Sequence, residues 1–173
     1  LSLLIQAFLG YYQFVNQEIV ANKYLGIASK EISTLGVSVL ENSDGRILRA
    51  YGATSHPNIF GALMFFGIIL TIFLLLDNNF SFKNNIGHYF ILAIFSLALI
   101  ISFSRSAFLT LALSLVFLFL FFFIKDKKKF KKYLPLCIFL LLIYATLFFI
   151  FKPLIIDRFN FSSRLEKISI NER

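Results

Sequence analysis

The chain has 173 residues, of which 58% are hydrophobic and 18% aromatic, and its mean hydropathy is +0.81. A soluble domain of this size has no core large enough for so many phenylalanines and leucines, whereas a lipid bilayer accommodates them. The net charge of +8 does not indicate a nucleic-acid partner, because six of the 17 basic residues lie between Lys125 and Lys132, flanked by apolar runs. Such a cluster is typical of a cytoplasmic membrane loop that attracts anionic lipid headgroups. The sequence therefore predicts an integral membrane protein.

The first part of the chain is expected to complete one membrane crossing and then form an outer loop. Residues 1–15 are apolar and end in Tyr11-Tyr12-Gln13-Phe14, an aromatic tail suited to the membrane interface. We expect them to be the end of a membrane helix. Residues 16–58 are mixed and polar, so they are predicted to form an outer loop. In that loop, residues 42–45 carry a turn signal, and residues 31–40 are compatible with a short strand or an interfacial helix.

Four apolar runs follow, and each is predicted to cross the membrane. The first has no charged residue and spans about 27 Å at 1.5 Å per residue, close to the thickness of a bilayer's hydrocarbon core. The second and third are separated by Ser104-Arg105-Ser106, and one continuous helix there would be far too long for a bilayer. A tight reversal at Arg105 is therefore predicted. The fold class is all-α, a polytopic transmembrane helix bundle with a partial N-terminal crossing and four full ones: residues 59–76, 89–103, 107–124 and 133–151.

The lysine-rich segment sets the predicted orientation. If residues 125–132 are cytoplasmic, alternation places residues 16–58, the reversal at Arg105 and a polar tail of residues 152–173 on the outer face. The chain starts in apolar sequence without Met and stops in a polar segment, so it is expected to be an internal piece of one longer membrane domain. The candidate polar residues then share the outer face: Arg49, His56, Asn58, Arg105, Arg158 and Arg164.

The arginines among them suit an anionic substrate such as a lipid-linked diphosphate. Arginine donates to phosphate oxygens in pairs and keeps its charge at any relevant pH. Taken singly, Arg49, Arg158 and Arg164 are also explained by contacts with lipid headgroups or by pairing with nearby carboxylates. Arg105 differs, because its short turn offers no carboxylate neighbour in the sequence. It is the arginine that the sequence marks most clearly for a function.

Two further residues have both a functional and a local structural interpretation. His56 is suited to general-base catalysis or substrate binding, and equally to a helix entry where it bonds to local backbone. Asn58 likewise is either a ligand or a helix-start residue. No metal or cofactor is implied, because Cys137 is a lone cysteine in an apolar run and no zinc pattern or phosphate-binding glycine loop occurs. Ser106, Thr110 and Ser114 repeat every four residues, a stripe that favours helix packing over a hydrophilic path.

Two motifs resemble those of the O-antigen ligase/polymerase superfamily. The first runs from Arg49-Ala50-Tyr51-Gly52 to His56-Pro57-Asn58, and the second is Phe103-Ser104-Arg105-Ser106-Ala107. The polar Gln13 after an apolar run, the basic loop and residues 157–164 resemble further features of that family in the right order. The resemblance covers nearly the whole chain.

The resemblance implies a multi-pass glycosyltransferase of the bacterial inner membrane. Such an enzyme transfers or polymerises a glycan from undecaprenyl diphosphate onto a saccharide or lipid A-core acceptor at the periplasmic face. On this basis Arg49 and Arg105 would bind the diphosphate, and Arg158 and Arg164 are weaker candidates for the same role. The family's general-base histidine lies in a large outer loop beyond residue 173, and His56 is not in that position. We therefore expect this chain to be inactive alone.

Two alternatives of another kind remain open at the level of sequence. A transporter segment would carry polar residues in the middle of its helices, and here they cluster at the ends. A non-catalytic membrane anchor would leave Arg49 and Arg105 far apart in space. The discriminating observation is a structure in which both guanidiniums lie around one outward-facing cavity, which would favour the enzyme.

Overall fold

A computed structural model describes residues 2–34, 36–42, 45–77 and 82–159, with the side chains of residues 41, 42, 77, 82–84 and 156–159 excepted. The described residues are mostly helical (72%). Three of the helices are long and apolar enough to span a membrane, namely Pro57–Leu76, Arg105–Lys125 and Lys127–Ile150. The prediction of a helical protein with membrane-spanning segments is confirmed at this level. The helices are α1 Ser2–Asn16, α2 Pro57–Asp77, α3 Phe82–Ile101, α4 Arg105–Lys125, α5 Lys127–Ile150 and α6 Lys152–Phe159.

The predicted outer loop contains two small antiparallel strand pairs. Strand β1 (Glu18–Ile19) pairs with β2 (Lys30–Glu31), and β3 (Val39–Asn42) pairs with β4 (Gly45–Leu48). In the second pair, Val39 lies opposite Leu48. The described chain is therefore not purely helical, and part of the stretch for which strand and helix were both left open is strand. Alternation of β-branched and polar residues over so few positions is too short a signal to decide this from sequence.

The core lies along one face of α2. Its buried positions recur every three or four residues and are almost fully excluded from solvent: Phe60, Met64, Ile68, Ile72 and Leu75. They pack against buried residues of α3, among them Leu92, Phe95 and Leu99. Gly67 permits this approach, because a Cβ at that position would lie 2.9 Å from the Phe95 ring. By contrast, most of α4 and α5 is exposed, as expected of helices that present apolar side chains to lipid.

The reversal between α3 and α4 occupies residues 102–104, immediately before Arg105. Phe103 adopts a positive φ of 46°, which is unusual for a non-glycine residue. The turn is therefore made by a phenylalanine in the left-handed region, without a glycine or a proline. Ser104 then caps α4, its Oγ accepting from the Ala107 N–H. The predicted tight reversal is therefore present and is built without the usual turn residues.

The lysine-rich segment differs from its prediction as a loop. One residue, Asp126, separates α4 from α5, and Lys127 to Lys132 form the first turns of α5. The Asp126 carboxylate caps that helix by accepting from the backbone N–H groups of Lys128 and Lys129, both at 3.0 Å. Phe130 packs back on Phe119 and Phe123 of α4, so the two helices form a hairpin. A strong N-cap explains why a run of like charges is accommodated at a helix start.

The chain brings several of its connections to one end of the bundle, which we call the hairpin end. It consists of the last turn of α1, the strand pairs, the start of α2, the residues between α3 and α4, and the junction of α5 with α6. Three phenylalanines from different elements meet there: Phe14, Phe103 and Phe151, with ring centroids 6.1 to 6.2 Å apart. Leu40 of β3 and Leu154 of α6 are buried in the same cluster. The predicted polar tail therefore begins as a helix packed on β3.

Ser106 and Thr110, which begin the small polar stripe of α4, are exposed. The Thr110 hydroxyl donates to the Ser106 carbonyl of its own helix, at 2.8 Å. In the described part of the chain this face of α4 is not packed against another helix.

Candidate functional site

The guanidinium of Arg49 lies at the centre of the hairpin end, with 1% of the residue exposed. Its Nε donates to the Ser102 carbonyl at 2.8 Å, and its Nη1 to Ser38 Oγ at 2.6 Å. Its Nη2 donates to Asn58 Oδ1 at 2.9 Å and to the Phe103 carbonyl at 3.2 Å. The acceptors come from the strand region, the start of α2 and the α3–α4 reversal. The planar fork of donors on arginine therefore fixes three segments in one arrangement.

The backbone around Arg49 is bound to the same surroundings. The Ala50 N–H donates to the Ile101 carbonyl at 3.1 Å, which joins this segment to the last residue of α3. The Arg49 N–H donates to the Ser38 carbonyl at 3.5 Å. The side-chain bonds of Arg49 thus reinforce a contact that the main chain also makes.

Two glutamines on α1 hold the following residues from the other side. Gln13 Nε2 donates to the Gly52 carbonyl at 2.7 Å, and Gln13 Oε1 accepts from the Tyr51 N–H at 3.1 Å. Gln6 Oε1 accepts from the Ala53 N–H at 2.7 Å. The two glutamines are two helical turns apart and so share a face. Because Gln13 is 2% exposed, its amide would be costly to bury without these partners.

Two glycines allow the segments to come this close. Gly52 has a positive φ of 58°, and a Cβ there would lie 2.7 Å from Gln6 Oε1. A Cβ at Gly61, in the first turns of α2, would lie 2.8 Å from Ser102 Oγ and from Ser104 Cβ. The reversal is therefore packed directly on the α2 backbone.

Tyr51 lies beside Arg49 and is contacted by two further basic side chains. Lys30 Nζ lies 4.2 Å from the centroid of its ring, within the range of a cation–π contact, and the His56 ring meets it edge-on at 6.4 Å between centroids. The Tyr51 hydroxyl accepts from the Ser38 N–H at 2.6 Å. Burial raises the pKa of this phenol above its usual value, and the Ser38 bond and the charge of Arg49 lower it by less. Tyr51 is therefore neutral over the physiological range.

His56 and Asn58 have the local roles that a helix start requires, and both are exposed. His56 Nδ1 accepts from the Asn58 N–H at 3.1 Å, so the proton of the neutral ring is assigned to Nε2. Thr54 Oγ1 donates to the His56 carbonyl at 2.9 Å. Exposure leaves both side chains accessible from the hairpin end.

Arg105 is the first residue of α4 and is half-buried. It follows Phe103, whose carbonyl binds Arg49, by two residues. The structure therefore brings Arg49, His56, Asn58 and Arg105 to the same end of the bundle. Arg158 lies in α6, but its side chain is outside the described set, and Arg164 lies outside the described residues altogether.

Sequence reasoning did not single out Lys30, Ser38 or Tyr51 as site residues. Lys30 is 19 residues before Arg49 in the chain, and only the pairing of β1 with β2 places it over Tyr51. Within the described residues, no group of three or more His, Cys, Asp or Glu is arranged to hold a metal ion. No protein-family model, no curated protein and no solved structure matches this chain.

Proposed function

We propose that this chain is part of a membrane glycosyltransferase of the O-antigen ligase/polymerase type. It would transfer or polymerise a glycan from undecaprenyl diphosphate onto a saccharide or lipid A-core acceptor. The observation that carries the proposal is the contact between the two motifs on which the resemblance depends. Arg49, from the first motif, donates to the carbonyls of Ser102 and Phe103, which lie three and two residues before Arg105 of the second motif. This contact of the Arg49 side chain with the turn that carries Arg105 supports the enzyme over a passive anchor.

In the proposed reaction, an acceptor hydroxyl attacks the anomeric carbon of the donor glycan. A new glycosidic bond forms, the bond from the anomeric carbon to the diphosphate oxygen breaks, and the hydroxyl proton passes to a base. Negative charge develops on the departing lipid diphosphate. Positive groups that are already oriented stabilise that charge, and a preorganised donor of this kind is worth about 3–4 kcal/mol.

The burial of Arg49 suggests a division of roles between the arginines. Its hydrogen bonds to neutral oxygens orient the guanidinium, so it acts on substrate chiefly by positioning the Arg105 turn and Asn58. Arg105 and His56, which are half-buried and exposed, are the groups proposed to contact the diphosphate. Arg158 and Arg164 are proposed as further ligands.

We further propose that α3 is a fourth crossing and that the hairpin end faces outward. Helix α3 has 20 residues and would span about 30 Å, although its apolar part, Asn85–Ile101, is shorter. The lysines at the α4–α5 connection lie at the end of the bundle opposite to Arg49. This position agrees with a cytoplasmic location. A membrane-impermeant maleimide tests this in a Cys137→Ser background. A cysteine at Ser55 should be labelled from outside in intact cells and one at Lys128 only after lysis, and the reverse pattern would reject the orientation.

Arg105 provides the test of the function. With the complete gene expressed in membranes, Arg105→Ala should lower glycan transfer from undecaprenyl diphosphate about 100-fold or more, as expected when one charge-stabilising donor is lost. Arg105→Lys should retain part of the activity, because the charge stays but the paired donors do not. Arg46→Ala, at an exposed position of β4, is the matched control and should transfer normally.

Lipid binding by the product of the complete gene, purified in detergent, also separates the enzyme from a passive anchor. A photoreactive undecaprenyl diphosphate should label the wild-type protein and label its Arg105→Ala variant less. Equal labelling of wild type and Arg105→Ala, with transfer unaffected by the substitution, would reject the enzyme and leave the membrane-anchor interpretation.

A further inference from the structure

The turn between β1 and β2, residues 22–27, is held by its own hydrogen bonds and displays two apolar side chains. The backbone N–H and carbonyl groups of Asn22 and Ile27 exchange hydrogen bonds of 2.9 and 3.0 Å across it. Asn22 Oδ1 also accepts from the N–H groups of Tyr24 and Leu25, at 3.0 and 3.1 Å. Tyr24 is nevertheless 98% exposed and Leu25 45% exposed. The turn therefore fixes an aromatic and an aliphatic side chain where no other described residue covers them.

The charged residues of this strand pair are separated from its apolar tip. Glu18 and Glu31 lie opposite each other at the base of the pair. Residues 20–29, by contrast, contain no acidic residue and a single basic one, the exposed Lys23. Val20, which is 56% exposed, extends the apolar surface of the tip. Tyrosine, aliphatic side chains and a lysine without carboxylates are typical of segments at a membrane surface, where lysine reaches the headgroups.

The base of the strand pair lies level with the ends of two membrane helices. β1 begins two residues after α1 ends at Asn16. On the other strand, Lys30 Nζ donates to the Ser55 carbonyl, two residues before the start of α2, which is long and apolar enough to span a membrane. The 22–27 turn begins three residues beyond Ile19 of β1, so at about 3.3 Å per residue it starts within about 10 Å of this level. The tip is therefore within reach of the lipid headgroups around the bundle.

We propose that the 22–27 turn docks on the lipid leaflet at the hairpin end. Leu25 and Val20 enter the upper acyl region, while the Tyr24 hydroxyl and the Lys23 ammonium stay among the headgroups. Two strands of two residues, with like charges opposite each other at the base, are too short to be stable alone, so the lipid contact stabilises them. This docking depends neither on the proposed enzymatic function nor on which face of the membrane is outside.

The experiment uses the absence of tryptophan from the chain, which lets a single introduced tryptophan report its own surroundings. The whole chain carrying Tyr24→Trp is placed in phosphatidylcholine nanodiscs whose acyl chains carry bromine near the headgroup. Phe149→Trp, at a 76% exposed position at the end of α5, is the lipid-exposed control. Ser33→Trp, at an exposed position after β2, is the aqueous control.

Tyr24→Trp should behave as the lipid-exposed control does. Its emission should be quenched by bromine and protected from iodide in the buffer, whereas that of Ser33→Trp should show the reverse. Quenching of Tyr24→Trp by iodide, with none by bromine, would overturn the proposal. Protection from iodide without quenching by bromine would mean that a second copy of the chain covers the turn, and it would overturn the proposal as well.

A second substitution tests whether the apolar tip itself enters the lipid. Leu25→Ser, combined with the Tyr24→Trp reporter, should lower the quenching by bromine, because a hydroxyl replaces the inserted aliphatic group. Leu25 belongs to none of the buried clusters of the described chain, so this variant should keep its fold. Ala28→Ser, at an exposed position of the same segment, is the matched control and should leave the quenching unchanged. Undiminished quenching in Leu25→Ser would overturn the insertion of the tip.

Discussion

Arg49 Nε donates to the carbonyl oxygen of Ser102 at 2.8 Å, although 53 residues separate the two in the chain. This bond joins the polar segment before α2 to the reversal between α3 and α4. It explains why the Arg49 guanidinium is buried, although the sequence suggested an exposed side chain that binds substrate. Arg49 organises the hairpin end, and the Asn58 side chain that it binds there is exposed.

Replacing Arg49 should therefore unfold the hairpin end before it affects binding directly. Arg49→Lys keeps the charge but cannot reach acceptors in three segments, so buried oxygens lose their donors. We expect a loss of about 2–4 kcal/mol in the free energy of unfolding, measured by denaturation in detergent. Arg46→Lys, an exposed arginine on the neighbouring strand, should change it by less than about 0.5 kcal/mol. Similar values for the two variants would contradict the central role of Arg49.

A methyl group at Gly61 should separate α2 from the reversal. A Cβ there would lie 2.8 Å from both Ser102 Oγ and Ser104 Cβ, so Gly61→Ala should cost about 1–3 kcal/mol through overpacking. Gly87→Ala provides the matched control, because nothing lies within 4 Å of its Cβ position on α3. It should be neutral or stabilise by up to about 1 kcal/mol through helix propensity. A stability of Gly61→Ala equal to that of wild type would mean that the reversal is not packed on α2 as described.

Two buried serines should respond in opposite ways to the loss of their hydroxyl groups. Ser104 caps α4, so Ser104→Ala should cost about 1 kcal/mol. Ser96 Oγ is buried in α3 near the Tyr144 hydroxyl, but the two groups form no hydrogen bond of standard geometry in the described structure, so Ser96→Ala should be neutral or stabilising. The comparison is made by unfolding in the same detergent. A marked loss of stability in Ser96→Ala would reveal a partner of that hydroxyl.

Tyr51 should contribute to a loss of stability at alkaline pH. Its folded-state pKa is raised above the unfolded value near 10, so the folded state keeps its proton when the unfolded state has released it. The stabilisation from the neutral phenol is therefore fully present below pH 10 and is lost as pH rises through the folded-state pKa. Relative to wild type, Tyr51→Phe should show a weaker fall in unfolding free energy above pH 10. Tyr24→Phe, at a ring that is 98% exposed, should keep the wild-type profile.

The sequence predicted the helices better than it predicted their ends. The run from residue 59 to 76 lies within α2, because an uncharged apolar stretch of that length leaves few alternatives in a bilayer. Helix α5 begins at Lys127 rather than at residue 133, because the cap supplied by Asp126 outweighs the like charges that suggested a loop. Helix boundaries depend on single side-chain contacts of this kind, which a hydropathy profile does not detect.

Sequence patterns also indicated which residues belong near the candidate site, but not what they do there. Arg49, His56, Asn58 and Arg105 lie at one end of the bundle, and the outward orientation of that end stays a prediction. The burial of Arg49 was not predictable, because its acceptors are a serine hydroxyl, an amide and two main-chain carbonyls that carry no signature in the sequence. Lys30 was missed for a related reason, since its contact with Tyr51 depends on the short β1–β2 pairing.

What the sequence by itself determined is the membrane character of the chain and the approximate position of its apolar helices. Both follow from local composition, because each residue's preference for lipid or water is independent of its distant neighbours. Only the tertiary structure decided that Arg49 is a buried organiser and that Lys30 and His56 share one aromatic ring. Those facts depend on contacts between residues far apart in the chain, and such contacts exist only once the helices have packed.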